Sequence, residues 1–144
     1  MTRYMYQGRT EQRKAAIKRK ADARALYEKG EQHFMGAMYL AGYAIECNLN
    51  AIAMQIYGVN TLKDLSKKIK VDENVLFSHG LAALVEQMPF RLRFKESEVW
   101  NDFETQVNRW SSSWRYDPGN PSKKKVDSFL KAVNKVYNWL EANS

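Results

Sequence analysis

The stretch 38-MYLAGYAIECNLNAIAMQI-56 decides the fold. It belongs to a longer segment, from about Glu31 to Tyr57, with no proline and almost no charge. At helical pitch that segment spans roughly 40 Å, the width of a small domain. At about 100° per residue, Met38, Ala41, Gly42, Ile45, Leu49, Ile52 and Ile56 fall on one face, and Leu40, Ala44, Cys47 and Ala51 on another. A helix apolar nearly all round lies at the centre of a bundle or crosses a membrane. Glu46 at its middle, flanked by Asn48 and Asn50, argues for the bundle, because a span needs about 20 apolar residues. Gly36 and Gly42 each cost about 1 kcal/mol against alanine inside a helix, so a neighbouring helix is expected to approach closely there.

Tyr39, Tyr43, Glu46 and Asn50 form one stripe beside the apolar face. A carboxylate in a core must be paired or hydrogen-bonded, since an isolated buried charge costs far too much. Glu46 is therefore expected to be buried and held by a tyrosine hydroxyl or by an arginine of the 109–116 segment. Buried ionisable groups also mark functional sites, which keeps Glu46 a catalytic candidate.

Around this helix the remaining chain reads as further helices. Thr10 caps a first helix rich in alanine, closed at Gly30, with residues 1–9 as an irregular arm. Gly58 and Asn60 end the central helix, and Thr61-x-x-Asp64 opens a short one to about Ile69. HGLAALVEQM, 79–88, forms another, stopped by Pro89, while FRLRFK at 90–95 reads as an extended loop. Val99, Trp100, Phe103, Val107 and Trp110 predict a helix from Ser97 to about Arg109. SSSWRYDPGNP, 111–121, contains two prolines and breaks it. Asn120 as cap and Pro121 as first residue start a last helix whose apolar face is Val126, Phe129, Leu130, Val133, Val136, Tyr137 and Leu140. The expectation is all-α: residues 1–144 as a single-domain bundle of about five to six helices around the long central one.

Composition narrows the function classes. The chain is 144 residues, 44% hydrophobic and 12% aromatic, and therefore globular. The N-terminus is basic and polar, without the apolar core of a signal peptide, and a cytoplasmic location is expected. One cysteine and two histidines exclude a disulfide framework and leave no transition-metal set, so neither a metal nor a cofactor is expected. The net charge of +7 is uneven, for residues 1–29 hold nine basic side chains against three acidic ones, a net of +6. Arg13, Lys14, Lys18, Arg19 and Lys20 make the densest part of this run. A concentrated basic face is the electrostatic footprint of a protein that meets phosphate or an acidic partner.

Three pieces together resemble the HEPN superfamily of small helical-bundle proteins. AGYAIECNLNAI at 41–52 is similar to the pattern Y-x-A-G-Y-A-x-E-x-x-L-K-A of bacterial members, HGLAAL at 79–84 to the H-D-L-x-x-L helix start, and W-R-Y-x-P at 114–118 precedes the last helix. The resemblance implies a bundle that dimerises and a place among toxin–antitoxin, antiphage and CRISPR-associated systems. It also implies, for many members, metal-independent RNase activity through R-x(4–6)-H. There, histidine moves the proton of the ribose 2′-hydroxyl and arginine steadies the phosphate. This chain departs from that signature. Counting from Arg109, the histidine position holds Trp114, and Tyr116 stands where an R-x4-H-x-Y version has its tyrosine. Taking Arg115 as the arginine instead, no histidine follows. Tryptophan does not titrate near neutrality and cannot replace an imidazole in acid–base work.

Three functions follow as expectations. The first is a non-catalytic dimeric module binding nucleic acid or nucleotide through Arg109, Trp114, Arg115, Tyr116 and the basic first helix, with Trp114 as a base-stacking platform. The second is an atypical endoribonuclease using Arg109 or Arg115 with His79 or Glu46. The third is a scaffold for a cognate antitoxin or effector protein.

Overall fold

The computed structural model describes residues 8–72 and 81–144, and every described element is helical. In chain order these are α1 (Arg9–Glu28), α2 (Phe34–Tyr57), α3 (Leu62–Ile69), α4 (Leu81–Glu86), α5 (Arg91–Glu96), α6 (Trp100–Thr105) and α7 (Lys123–Asn143), with short 3₁₀ turns at Glu31–His33, Val107–Arg109 and Ser112–Tyr116. The all-α expectation therefore holds, with seven α-helices among the described residues. Most of the 1–9 arm and His79 lie outside them, but Arg9 already belongs to α1.

The central helix is α2. Alanine and unbranched residues carry it without a break from Phe34, and Gly58 ends it in the left-handed conformation (φ 67°), where its N–H turns back to Gln55 and Met54. Ile45, Leu49, Ile52 and Met54 are fully buried, each contributing about 1.5–3 kcal/mol of hydrophobic stabilisation. α1 runs along α2, from Leu26 at Gly36 to Arg13 at Gln55, and α3, α4 and α7 also pack against α2. Tyr27 stacks on Phe34 where α1 turns back, at 5.3 Å between centroids. One continuous core joins α2 to the α7 face Val126, Phe129, Val133, Val136 and Leu140. Asn48 is also wholly buried, and its amide has no hydrogen-bond partner among the described residues.

Several boundaries differ from the sequence-based expectation, each for a local reason. FRLRFK is helical: Phe90 and Phe94 are buried four residues apart and joined by Phe94 N–H to Phe90 C=O at 2.9 Å, whereas Leu92 stands 63% exposed. The apparent alternation came from Leu92, which does not enter the core. The 97–109 helix is shorter, since α6 ends at Thr105 and a 3₁₀ turn continues it. The Thr105 hydroxyl donates to the Asn101 carbonyl at 2.7 Å, a bond that competes with the helix ladder at that end. The last helix is capped by Ser122, whose hydroxyl accepts from Lys125 N–H at 3.2 Å, so Asn120 and Pro121 precede it. α1 starts at Arg9 with Gly8 in the cap position, before Thr10 could cap it. Thr61 caps α3 as expected, accepting from Asp64 N–H at 3.0 Å.

Candidate nucleic-acid interface

The two glycines of α2 show how the site is assembled. At Gly36 an added methyl would meet Leu26 of α1 at 3.2 Å, the close helix approach expected. At Gly42 the neighbour is not a helix but the Trp110 indole, whose Cδ1 lies 2.0 Å from where a Cβ would stand. Trp110 is 4% exposed and donates its Nε1–H to the Tyr39 carbonyl at 2.9 Å. Its ring stacks on Tyr39 at 5.9 Å and meets Tyr43 edge-on at 6.2 Å. This anchor fixes the start of the 111–116 turn over the N-terminal half of α2. Ser111 then caps the 3₁₀ turn by accepting from Ser113 N–H.

That turn presents Arg115 and Tyr116 to solvent. Tyr116 is 75% exposed, and the Arg115 guanidinium lies over its ring at 4.9 Å. Arg115 lines the same groove as Tyr39. Burial raises the Tyr39 hydroxyl's pKa, and the guanidinium partly opposes the rise. Two shallow grooves meet at Tyr39. One, about 380 Å³, runs past Gln32, Trp114, Arg115 and Asn120, and the other, about 420 Å³, past Gln12, Arg19, Tyr43 and Cys47. A guanidinium therefore stands on each side of an aromatic strip.

The stripe read from the sequence is real but lies at the rim rather than in the core. Tyr39, Tyr43 and Glu46 are half-buried, while Asn50 is buried and donates to Gln12 of α1 at 3.5 Å. Glu46 is therefore half-buried and not in the core as expected, though it is not left without a partner. Its charge still reaches its neighbours. Burial first, then the Cys47 and Glu46 charges, push the Tyr43 hydroxyl up to about 12. Burial and Glu46 likewise push the Cys47 thiol up to about 12, with Arg19 opposing.

The predicted site residues separate into groups. Arg19, Arg115 and Tyr116 gather around Tyr39. Arg109 is exposed one residue before Trp110. Lys14 and Lys18 face solvent on α1, and Lys18 and Arg19 share Asp22 at 2.8 and 2.9 Å. Arg13 and Lys20 turn the other way: Arg13 reaches Gln55 and Glu141, and Lys20 lies over the Tyr137 ring at 4.4 Å. Trp114 is half-buried with its ring 5.4 Å from Phe129, so it packs inward instead of offering the open stacking platform expected. The exposed ring is that of Tyr116. Sequence reasoning missed Tyr39 as the hub, although its place in the stripe and the apolar Trp110 were the available signals. No helix among the described residues is long and apolar enough to cross a membrane, and none of their His, Cys, Asp and Glu side chains cluster to hold a metal. Comparison with family models, with curated proteins and with solved structures finds no match to this chain.

Proposed function

We propose that this chain is a non-catalytic, HEPN-like helical module that binds nucleic acid or nucleotide over Tyr39 and acts as a homodimer in a prokaryotic defence or toxin–antitoxin type system. One arrangement supports the reading: Arg115 shares a groove with Tyr39 and lies over the exposed Tyr116, with Arg19 in the adjoining groove. Guanidinium groups are suited to bidentate phosphate contacts, and tyrosine faces accept unpaired bases without regard to sequence. The exposed Lys14 and Lys18 extend the positive field along α1. The assignment to HEPN-like proteins and their systems rests on the three sequence motifs.

Acid–base catalysis is not part of the proposal. The residue at the signature's histidine position, Trp114, contributes apolar packing on Phe129 and holds no transferable proton near neutral pH. A second copy pairing through the exposed Arg109, Arg115 and Tyr116 would double the phosphate-binding surface.

The test is the salt dependence of binding to a labelled single-stranded RNA. Affinity should fall steeply with salt, and Arg19→Gln with Arg115→Gln should lower the log–log slope by about 0.7 for each phosphate no longer neutralised. Arg13→Gln with Lys20→Gln, both turned toward α7, should leave the slope nearly unchanged. No binding at low salt would transfer the basic face to a protein partner, and light scattering showing only monomer would remove the dimer.

A further inference from the structure

α1 and α7 both pack on α2 but scarcely on each other, and between them lies a pit of about 690 Å³. It opens on the other flank of α1 from the Tyr39 grooves. Its floor is apolar and short-chained, made by Ala23, Ala41 and Val133, with Leu130 on one wall.

The pit has two ends, each closed by side chains that reach from α1 to α7. At one, the Tyr27 hydroxyl donates to Asp127 at 2.5 Å, and Asp127 is also paired with Lys123 at 2.8 Å. At the other, Lys20 lies over the Tyr137 ring. Lys20 and Tyr27 are seven residues apart on α1, which sets the length at about 10 Å.

The charges around the rim are not balanced. Asp127 is neutralised by Lys123, Glu28 is bonded to Arg24 at 3.3 Å, and Lys135 faces Asp102 at 3.7 Å. Lys131 has no hydrogen-bond or ion-pair partner among the described residues, and Lys20 holds only an aromatic face. Asn134 and Asn138, one turn apart on α7, add exposed amides to the same lining.

We infer that this pit is a binding site for a small amphipathic anion, an apolar body of up to about 10 Å carrying one carboxylate, sulfonate or phosphate. The body covers Ala23, Ala41, Val133 and Leu130, the anionic head meets Lys131 and Lys20, and the asparagine amides orient it. The volume lies within the range of small-ligand sites, which combine an apolar lining with a few placed polar groups. A nucleic-acid strand fits less well, because its repeated phosphates would pass Asp127 and Glu28 and find no open aromatic face on the floor. A side chain of a partner protein could fill the same volume, and the experiment separates the two.

The probe is 8-anilinonaphthalene-1-sulfonate, titrated into the folded chain with fluorescence as the readout and ¹⁵N NMR to map the site. Saturable binding should shift the Asn134 and Asn138 side-chain amides. Lys131→Glu, at an exposed position, should weaken binding about tenfold or more. Asn134→Trp, also exposed, should block the pit and abolish binding, whereas Lys14→Glu on the outer face of α1 should leave it unchanged. Circular dichroism shows whether each variant is folded. Absence of saturable binding, equal binding by all three variants, or amide shifts elsewhere would overturn the proposal in favour of a pit that receives a protein side chain or nothing.

Discussion

Gly42→Ala tests how the site is held together, and its sign alone is informative. In an ordinary helix interior the change stabilises by about 1 kcal/mol. Here the new methyl would stand 2.0 Å from Trp110 Cδ1 and 2.3 Å from Cγ, far inside the roughly 3.5–4.0 Å at which carbons pack best. An indole ring hemmed in by Tyr39 and Tyr43 cannot yield by a small rotation, so it must leave. Its departure forfeits the hydrogen bond to the Tyr39 carbonyl, worth about 1 kcal/mol net, and the Tyr39 stack, worth about another 1 kcal/mol. Re-exposing half of a buried tryptophan, about 100 Å², costs roughly 2.5 kcal/mol more. Set against the propensity gain, the net is a destabilisation of about 3.5 kcal/mol. Urea unfolding should show a midpoint lower by roughly 1–3.5 M at unchanged slope, given slopes of about 1–3 kcal/mol/M. In a Trp110→Ala background the same change should raise the midpoint, because only the propensity term remains. A higher midpoint for Gly42→Ala in the otherwise native chain would refute the claim that Trp110 anchors the 111–116 turn on α2.

Other outcomes follow from the same surfaces. The Cys47 thiol and Tyr43 hydroxyl ordinarily titrate near 9.0 and 10.0, and the fold pushes both up to about 12. The folded state thus holds these protons more tightly than the unfolded chain. Their contribution is complete below about pH 9 and is lost as pH rises toward 12. The urea midpoint should decline over that window, less so in Cys47→Ala, and a midpoint constant from about pH 8 to 11 would contradict the assignment. The native thiol should react with a disulfide reagent at about pH 8 only as fast as the chain unfolds; immediate labelling would show that Cys47 is open. The purified protein should not cleave RNA without metal, and His79→Ala should change nothing. Strong cleavage that His79→Ala abolishes would promote the ribonuclease reading. Trp114→His should remove packing on Phe129 and lower stability by about 1–3 kcal/mol, and unchanged stability would show that the ring is not held there.

How much of this was legible in the sequence differs by element. The central helix could be read almost to the residue, because continuous apolar character, absence of proline and a terminal glycine all agree there. The Thr61 cap and the α7 face were equally plain, each depending on short-range spacing. Failures fell where a local pattern had two readings. FRLRFK alternates, yet Phe90 and Phe94 satisfy the helical period, and only burial decides between them. Asn120-Pro121 is a sound helix start, but Ser122 offers a better cap two residues later. The candidate site was legible as an inventory and not as an arrangement. Arg19, Arg115 and Tyr116 can be named from the sequence, but the approach of Arg115 and Tyr116 to Tyr39 depends on the packing of Trp110 on Gly42, 68 positions apart in the chain. No periodicity reports such a pairing. The basic run divided for a similar reason: helical twist sends Arg13 and Lys20 toward α7, and partners already present on that side take them up.

The most direct test of the proposed interface is photocrosslinking of a 4-thiouridine single-stranded RNA to the folded protein at low salt, with the joined peptides identified by mass spectrometry. The account predicts crosslinks to Tyr39 on α2 and to Tyr116 or its neighbours in the 111–116 turn, lost together in Arg115→Ala. Crosslinks confined to other surfaces, or none at low salt, would contradict it.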